Sequence, residues 1–391
     1  MLNGPFSPWP SFDAAEKQAV LDVLDSNKVN YWTGQQCREF EKKFAEYFES
    51  DYAVAVANGT VALDLAWQAL ALPHGSEVIV TSRTFIASVS SIVLAGLTPV
   101  FVDIDRDNQN ISAQTIAPHI SSNTRAILCV HLAGWPCEMN DIMALAKEHD
   151  LSVVEDCAQS HGARYKGRST GSIGDIAAWS FCQDKIMTTA GEGGMVTTNR
   201  KDLWEKVWSF KDHGKSYSAV YETAHPPGFR WLHESIGTNW RMLEIQAAVG
   251  LKQLEKMPDW TAKRQAYGQQ IFATAKQFNA LRIPAIPDYI EHAFYKCYVF
   301  VEPAQLKMGW HRDKIIEAIN QQQVPCFSGS CSEVYLEKAF DDTPYRPKKV
   351  LSNAIELGQT ALMFLVHPTL QQQEIDKCCE VLAQVMQEAS L

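Results

Sequence analysis

The 391-residue sequence has no C-x-x-C pair, no internal repeat and no apolar run near the ~20 residues of a membrane span. Its ten cysteines (Cys37, Cys129, Cys137, Cys157, Cys182, Cys297, Cys326, Cys331, Cys378 and Cys379) fit no zinc-ligand spacing. Several sit in apolar runs, as Cys129 does in AILCVHL, so they read as buried thiols of a reducing cytoplasm, and no metal is expected. The start, MLNGPFSPWPSF, has neither a basic n-region nor an apolar core and does not read as a secretory signal. There is no excess of basic charge: 35 Lys and Arg stand against 45 Asp and Glu, a net of −10. Such a balance disfavours binding to nucleic acid through phosphate neutralisation. Backbone N–H groups can still build a local anion site. The expectation is a soluble cytoplasmic protein without nucleic-acid or membrane partners.

What is present is a large apolar content, 46%, in a length that suits two domains. From residue 52 to about 200, short Val- and Ile-rich runs alternate with helical patterns. YAVAVA (52–57), EVIVTS (77–82), TPVFVDI (98–104), AILCV (126–130), LSVVE (151–155), DIAAWSF (175–181) and MVTTN (195–199) read as strands. TVALDLAWQALAL (60–72), TFIASVSSIVLAG (84–96) and NDIMALAKEHD (140–150) read as helices. Strands without polar alternation suit a mostly parallel sheet covered on both faces. Ligands of such sheets bind at the carboxyl ends of the strands. After Asn239 the pattern changes to a long helix (241–257, continuing helical to 280), a strand YVFVEP (298–303) and helices at 312–323 and 374–389. The domains are therefore expected at 1–250 and 251–391.

Three features at strand ends carry chemistry. Asp156 follows LSVVE, where a carboxylate enters the ligand crevice; alone it would read as a helix N-cap. Lys185 follows the strand DIAAWSF and its Ser180, and precedes the glycines 191, 193 and 194; alone it would read as a solvated charge. Asn58-Gly59-Thr60 joins a strand to a helix, where glycine admits close backbone approach and free N–H groups meet a phosphate. Alone, that is a turn with a cap. Together, and in this order, a phosphate cradle, a carboxylate and a lysine make up the requirements of a pyridoxal-phosphate site.

The sequence resembles the DegT/DnrJ/EryC1/StrS family of nucleotide-sugar aminotransferases. The matching pieces are NGTVAL (58–63), TFIAS (84–88), VHLAG (130–134), VVEDCAQSHGA (153–163), GSIGDIAAWSF (171–181), GEGGMVTTN (191–199) and GTNWRM (237–242). YWTGQQCREFE (31–41) and FLVHPTLQQQEI (364–375) extend the match over nearly the whole chain. The resemblance implies the fold type I of pyridoxal-phosphate-dependent transferases, similar to aspartate aminotransferase: a large, doubly wound, mostly parallel α/β domain and a smaller mixed C-terminal one. It implies that Lys185 is the Schiff-base lysine and Asp156 the partner of the ring nitrogen. Gln159 would neighbour the ring, Phe85 would stack on it, and Gly59, Thr60 and Ser180 would bind its phosphate. Asn239 would reach the same phosphate from a second subunit, which implies a homodimer with shared sites. Arg241 is a candidate for a substrate anion, with a helix-start salt bridge as its ordinary reading. Trp32 and His131 are candidates for the sugar pocket, with packing as theirs. Tyr335, in VPCFSGSCSEVYLEKAF (324–340), is a further substrate candidate in a region that departs from the family pattern. A second departure is the long aromatic-rich segment 215–235. His161 and His213 are given no role.

The implied reaction moves an amino group from L-glutamate to a nucleoside-diphosphate keto-sugar, for polysaccharide, lipopolysaccharide O-antigen or glycan assembly. Pyridoxal 5′-phosphate would alternate with pyridoxamine 5′-phosphate. Lys185, freed from the cofactor, would move the α-proton, a role suited to a lysine shielded from water. One alternative is a sugar dehydratase of the same superfamily, disfavoured because position 185 is lysine rather than histidine and no cysteine cluster is visible. Another is a non-catalytic regulator, disfavoured because Lys185 and Asp156 are both present. A lyase or amino-acid transaminase is disfavoured by GTNWRM and TFIAS.

Overall fold

The computed structural model describes residues 5–391. A seven-stranded sheet runs in the spatial order 52–56, 194–198, 176–180, 152–156, 124–130, 77–81, 98–102. The five strands from 176–180 to 98–102 are mutually parallel, and Gly194–Thr198 alone runs antiparallel to both of its neighbours. Successive side chains of a strand point to opposite faces, and both faces are buried here. In the outer strand, Val54 and Val56 join one apolar core while Ala53 and Ala55 join another. Ile176 and Ala178 divide from Ala177 and Trp179 in the same way. The first core is covered by the helices Gly59–Leu70 and Lys201–Phe210, the second by Gln36–Tyr47 and the first half of Glu244–Ala275. Double coverage explains why these strands read as unbroken apolar runs.

A second, antiparallel sheet is ordered 281–282, 297–301, 361–364, 326–327, backed by the helices Arg312–Gln321 and Gln372–Ala389 around a separate core. The 32-residue helix Glu244–Ala275 connects the two parts. Ala247, Leu251, Leu254 and Met257 serve the large core; Tyr267, Ile271, Phe272 and Ala275 serve the small one. The helix passes through residue 250 and Pro258 without a break. The helix expected over 84–96 begins only at Ala87, because residues 84–86 form a turn that lines a cavity.

The segment before the first helix (Ala14–Asp25) lies across both parts. Ser7 Oγ donates to Glu374 Oε2 at 2.9 Å, and Thr369 Oγ1 donates to the Pro8 carbonyl at 2.8 Å. The Trp9 indole N–H donates to the Lys185 carbonyl at 2.9 Å, while its ring packs edge-on to Trp260.

His161 is fully buried against the rings of Phe48, Trp179 and Phe181, and neither ring nitrogen has a partner among the described residues. Burial, followed by the positive fields of Lys185 and Arg264, lowers its pKa to about 3. The folded state thus keeps His161 neutral where the unfolded chain, titrating near ~6.5, binds a proton. Stability is retained above that pH and is lost as pH falls towards 3, at about 1.4 kcal/mol per unit for this group. His161→Phe should flatten the dependence of unfolding free energy on pH between 6 and 4 by that slope. An unchanged slope in denaturant titrations would show that His161 is not the proton acceptor.

Candidate active site

The site lies at the carboxyl edge of the large sheet, where the central strand Ser152–Asp156 ends in two carboxylates facing opposite ways. Glu155, fully buried, accepts hydrogen bonds from the backbone N–H of Gly171 (2.9 Å), Ile173 (2.9 Å) and Gly174 (2.6 Å) and pairs with His131 Nε2 at 2.9 Å. Burial alone would raise its pKa; the His131 bond and the amides outweigh it and hold the carboxyl below its ordinary range. Asp156, 6% exposed, accepts from Ser88 Oγ at 2.8 Å and from the Ala158 N–H at 3.1 Å. Its pKa is raised by burial, against those two bonds and the fields of Lys185 and His131. Among the described residues no cation lies within salt-bridge distance of Asp156, so a buried carboxylate faces the cavity without a counter-charge.

Asn58 caps the helix Gly59–Leu70, its side-chain oxygen taking the Val61 N–H at 2.9 Å. The first-turn amides of a helix have no acceptor within it, and Gly59 and Thr60 line the cavity. A Cβ on Gly59 would stand 2.5 Å from Ser180 Cβ, and one on Gly194 would stand 2.3 Å from the Asn58 carbonyl oxygen. Both glycines are therefore required for the helix start to sit against the strands Ile176–Ser180 and Gly194–Thr198. The result is a hydroxyl and a helix N-terminus on one anion-sized concavity.

Lys185 follows Ser180 in a loop fixed by its own N–H to the Cys182 carbonyl (3.0 Å) and by Trp9. Its side chain is 17% exposed, with Nζ 3.7 Å from Asp184 Oδ1 and 5.3 Å from the centroid of the Tyr295 ring. The Tyr295 hydroxyl donates to Asp184. Burial opposes ionisation of Asp184, but Lys185 and that hydroxyl keep its pKa below the ordinary range. All of these groups border one cavity of about 990 Å³. Phe85, 67% exposed, and Gln159, whose Oε1 takes the Ala133 N–H at 2.8 Å, complete its lining on this side.

The structure thus gathers Gly59, Thr60, Phe85, Asp156, Gln159, Ser180 and Lys185 around one space. It places the other candidates outside that space. The Arg241 guanidinium donates to Asp212 Oδ1 at 2.7 Å, which is the salt-bridge reading. His131 accepts the Cys137 N–H at Nδ1 (3.0 Å), so Nε2 carries the proton it gives to Glu155. Trp32 packs edge-on to Trp208 beneath the Lys215 ammonium, and Tyr335 donates to Glu333 Oε1 at 2.6 Å. Asn239 is exposed and pairs through its backbone with Asp212. His131, Glu155 and Cys157 bring ligand-type atoms within 4.8 Å of one another, but the first two are already bound to each other and to backbone amides. The sequence reading missed Ser88, Asp184, Tyr295 and Lys296. The Thr84–Ser88 spacing, one helical turn, was a usable signal for the first: the two hydroxyls are 2.8 Å apart and continue to Asp156.

The model of the DegT/DnrJ/EryC1/StrS aminotransferase family matches residues 10–383. An aminotransferase of Psychrobacter cryohalolentis solved by X-ray crystallography is 59% identical, with a TM-score of 0.96 over 97% of this chain and 98% of its own. A GDP-perosamine synthase of Escherichia coli O157:H7 is 44% identical over 255 residues, 65% of this chain and 67% of that protein. Another, of Caulobacter vibrioides, is 35% identical over 385 residues, 96% of this chain and 97% of that protein.

Glu155 joins the strand end, the 171–174 turn and His131. In Glu155→Gln one of the two carboxylate oxygens becomes an NH2 that points at existing donors. This should cost about 2–4 kcal/mol of folding stability, read from denaturant unfolding. A loss below about 0.5 kcal/mol, the size of an ordinary surface change, would mean that the network is not what fixes the strand end.

Proposed function

This chain belongs to the DegT/DnrJ/EryC1/StrS aminotransferase family, and from that premise we propose that it moves an amino group from L-glutamate to a nucleoside-diphosphate-linked keto-sugar, using pyridoxal 5′-phosphate. The observation that carries this reading is the convergence of Asp156, Lys185 and the Gly59 helix start on one cavity. The residues fit that cofactor on physical grounds. A buried carboxylate without a counter-ion suits a pyridinium nitrogen, a glycine-lined helix start with Ser180 suits a phosphate, and exposed Phe85 offers a ring face. Three relatives bear the name GDP-perosamine synthase, which supports a nucleotide-sugar acceptor. The dehydratase alternative is not favoured, since position 185 is lysine and these relatives are named for amino-sugar formation.

Lys185 would hold the cofactor through its side-chain nitrogen, Asp156 its ring nitrogen, and Gly59, Thr60 and Ser180 its phosphate. Bound there, the cofactor supplies an electron sink that makes the α-hydrogen of an amino acid acidic. Asp156 keeps a positive charge on the ring side of the cavity, helped by the hydrogen bonds from Ser88 and Ala158. Lys185 Nζ carries the proton away from the donor's α-carbon, with Asp184 and the Tyr295 ring beside it. Over one cycle glutamate becomes 2-oxoglutarate and the sugar carbonyl becomes an amine. We further propose a homodimer in which Asn239 of each chain completes the neighbour's phosphate site. Exposed Asn239 does not border its own cavity, and Phe229, Trp231 and Ile236 nearby are 80%, 84% and 91% exposed, a surface suited to burial against a second copy.

The function is tested by presenting the pyridoxamine 5′-phosphate form with UDP-, dTDP- and GDP-keto-sugars. One sugar should gain nitrogen while the 2-oxoglutarate released in the glutamate step matches it mole for mole. Loss of sugar oxygen without gain of nitrogen, seen by mass spectrometry, would replace this reading with dehydration. Shared sites are tested by complementation. Lys185→Ala and Asn239→Asp should each be nearly inactive; mixed after dissociation, their hybrids should restore about a quarter of wild-type activity. No recovery would confine Asn239 to its own chain.

A further inference from the structure

Two cations border the cavity, Lys185 and Lys296. Lys296 immediately precedes the small-sheet strand Cys297–Val301 and is half-buried. Its Nζ lies 4.8 Å from the Tyr295 ring centroid, so the two ammoniums flank the same ring. Behind it sits Arg264, 2% exposed, which donates to the carbonyls of Phe294 and Tyr295 at 3.4 Å each and lies 5.4 Å from the Trp9 ring centroid; its Nε has no hydrogen-bond partner among the described residues. The one carboxylate in this group, Asp184, is engaged by the Tyr295 hydroxyl and lies beside Lys185. Among the described residues no carboxylate is within salt-bridge distance of Lys296 or Arg264. Around the Tyr295 ring, therefore, Lys185 and Lys296, with Arg264 behind them, have Asp184 as their neighbouring carboxylate, while Asp156 borders the same cavity. Burial, then the fields of Arg264 and Lys185, lowers the Lys296 pKa to about 8, with Asp184 opposing. Burying cations without counter-charge is unfavourable unless an anion completes the site.

We propose that Lys296 binds a carboxylate of the amino-acid donor. This rests on the function proposed above; within this chain Arg241 is paired with Asp212. The acceptor's diphosphate shares the same chemistry, but position separates the two. Lys296 shares the Tyr295 ring with Lys185, beside the reacting atoms. A donor carboxylate is attached to its reacting carbon or lies a few bonds from it, whereas a sugar ring separates the diphosphate from a keto carbon.

The test uses the cofactor-loaded protein without any sugar. Binding of glutarate, a dicarboxylate that cannot react, is measured by calorimetry; the L-glutamate half-reaction is followed by the cofactor's absorbance. Lys296→Met should weaken glutarate by about tenfold or more and raise the half-saturating L-glutamate concentration by a similar factor, with little change in limiting rate. Lys296→Arg should recover part of both. Lys296→Gln serves as the second variant, and cofactor content and unfolding midpoint identify any misfolded protein. Unchanged glutarate binding overturns the proposal. So does a defect confined to the keto-sugar half-reaction, which would assign Lys296 to the diphosphate, or a lower limiting rate at unchanged half-saturation, which would assign it to proton transfer. A wild-type protein that reacts with L-glutamate but with no keto-sugar would sink the acceptor assignment and leave this test standing.

Discussion

Two adjacent carboxylates at the end of one central strand hold the architecture of the site. A strand must send Glu155 and Asp156 to opposite sides, and the surroundings treat them oppositely. Glu155 is given three amides and a buried histidine, which hold its carboxyl below the ordinary range. Asp156 is given one hydroxyl, one amide and an open cavity. The first carboxylate fixes the strand end and the 171–174 turn; the second can then face the ligand space as an incompletely compensated charge. Removing the first would move the second, although Glu155 itself does not border the cavity.

The opposite wall comes from the small sheet and is electrostatically complementary in sign. Tyr295 and Lys296 arrive on the approach to Cys297–Val301, with Arg264, on the second half of the connecting helix, behind them. Asp156 has no cation within salt-bridge distance among the described residues, and Lys296 no carboxylate. A zwitterionic or doubly charged occupant relieves both deficits, which is why the cavity suits charged cofactors and amino acids rather than neutral ligands of the same volume.

The residues legible in the sequence share a property: each lies within a few positions of a large-sheet strand, so chain order alone places it at the carboxyl edge. Asp156, Ser180, Lys185 and Gly59 are of this kind, and the seven strands were legible because burial on both faces leaves apolar runs. Tyr295 and Lys296 were not, because nothing local in HAFYKCY tells that the small sheet will carry them across to the large one. The other candidates, Arg241, His131, Trp32 and Tyr335, do not line this chain's cavity. Their side chains have the chemistry of ligands, but Asp212, Glu155, Lys215 and Glu333 engage them first. For His131 and Arg241 the partners stand 24 and 29 positions away, which no local pattern shows.

The segment around Trp9 has a consequence for how the protein comes into being. Its anchors, Thr369 and Glu374, are separated from it by more than 360 positions, and its indole grips the backbone of Lys185 midway between. A ribosome releases that segment early and the last helix (Gln372–Ala389) late. The large sheet can assemble while synthesis continues, but the loop carrying Lys185 gains its outer brace only after Thr369 and Glu374 have emerged. Competence for ligand thereby waits on the helix Gln372–Ala389, and a nascent chain has the sheet before it has the site.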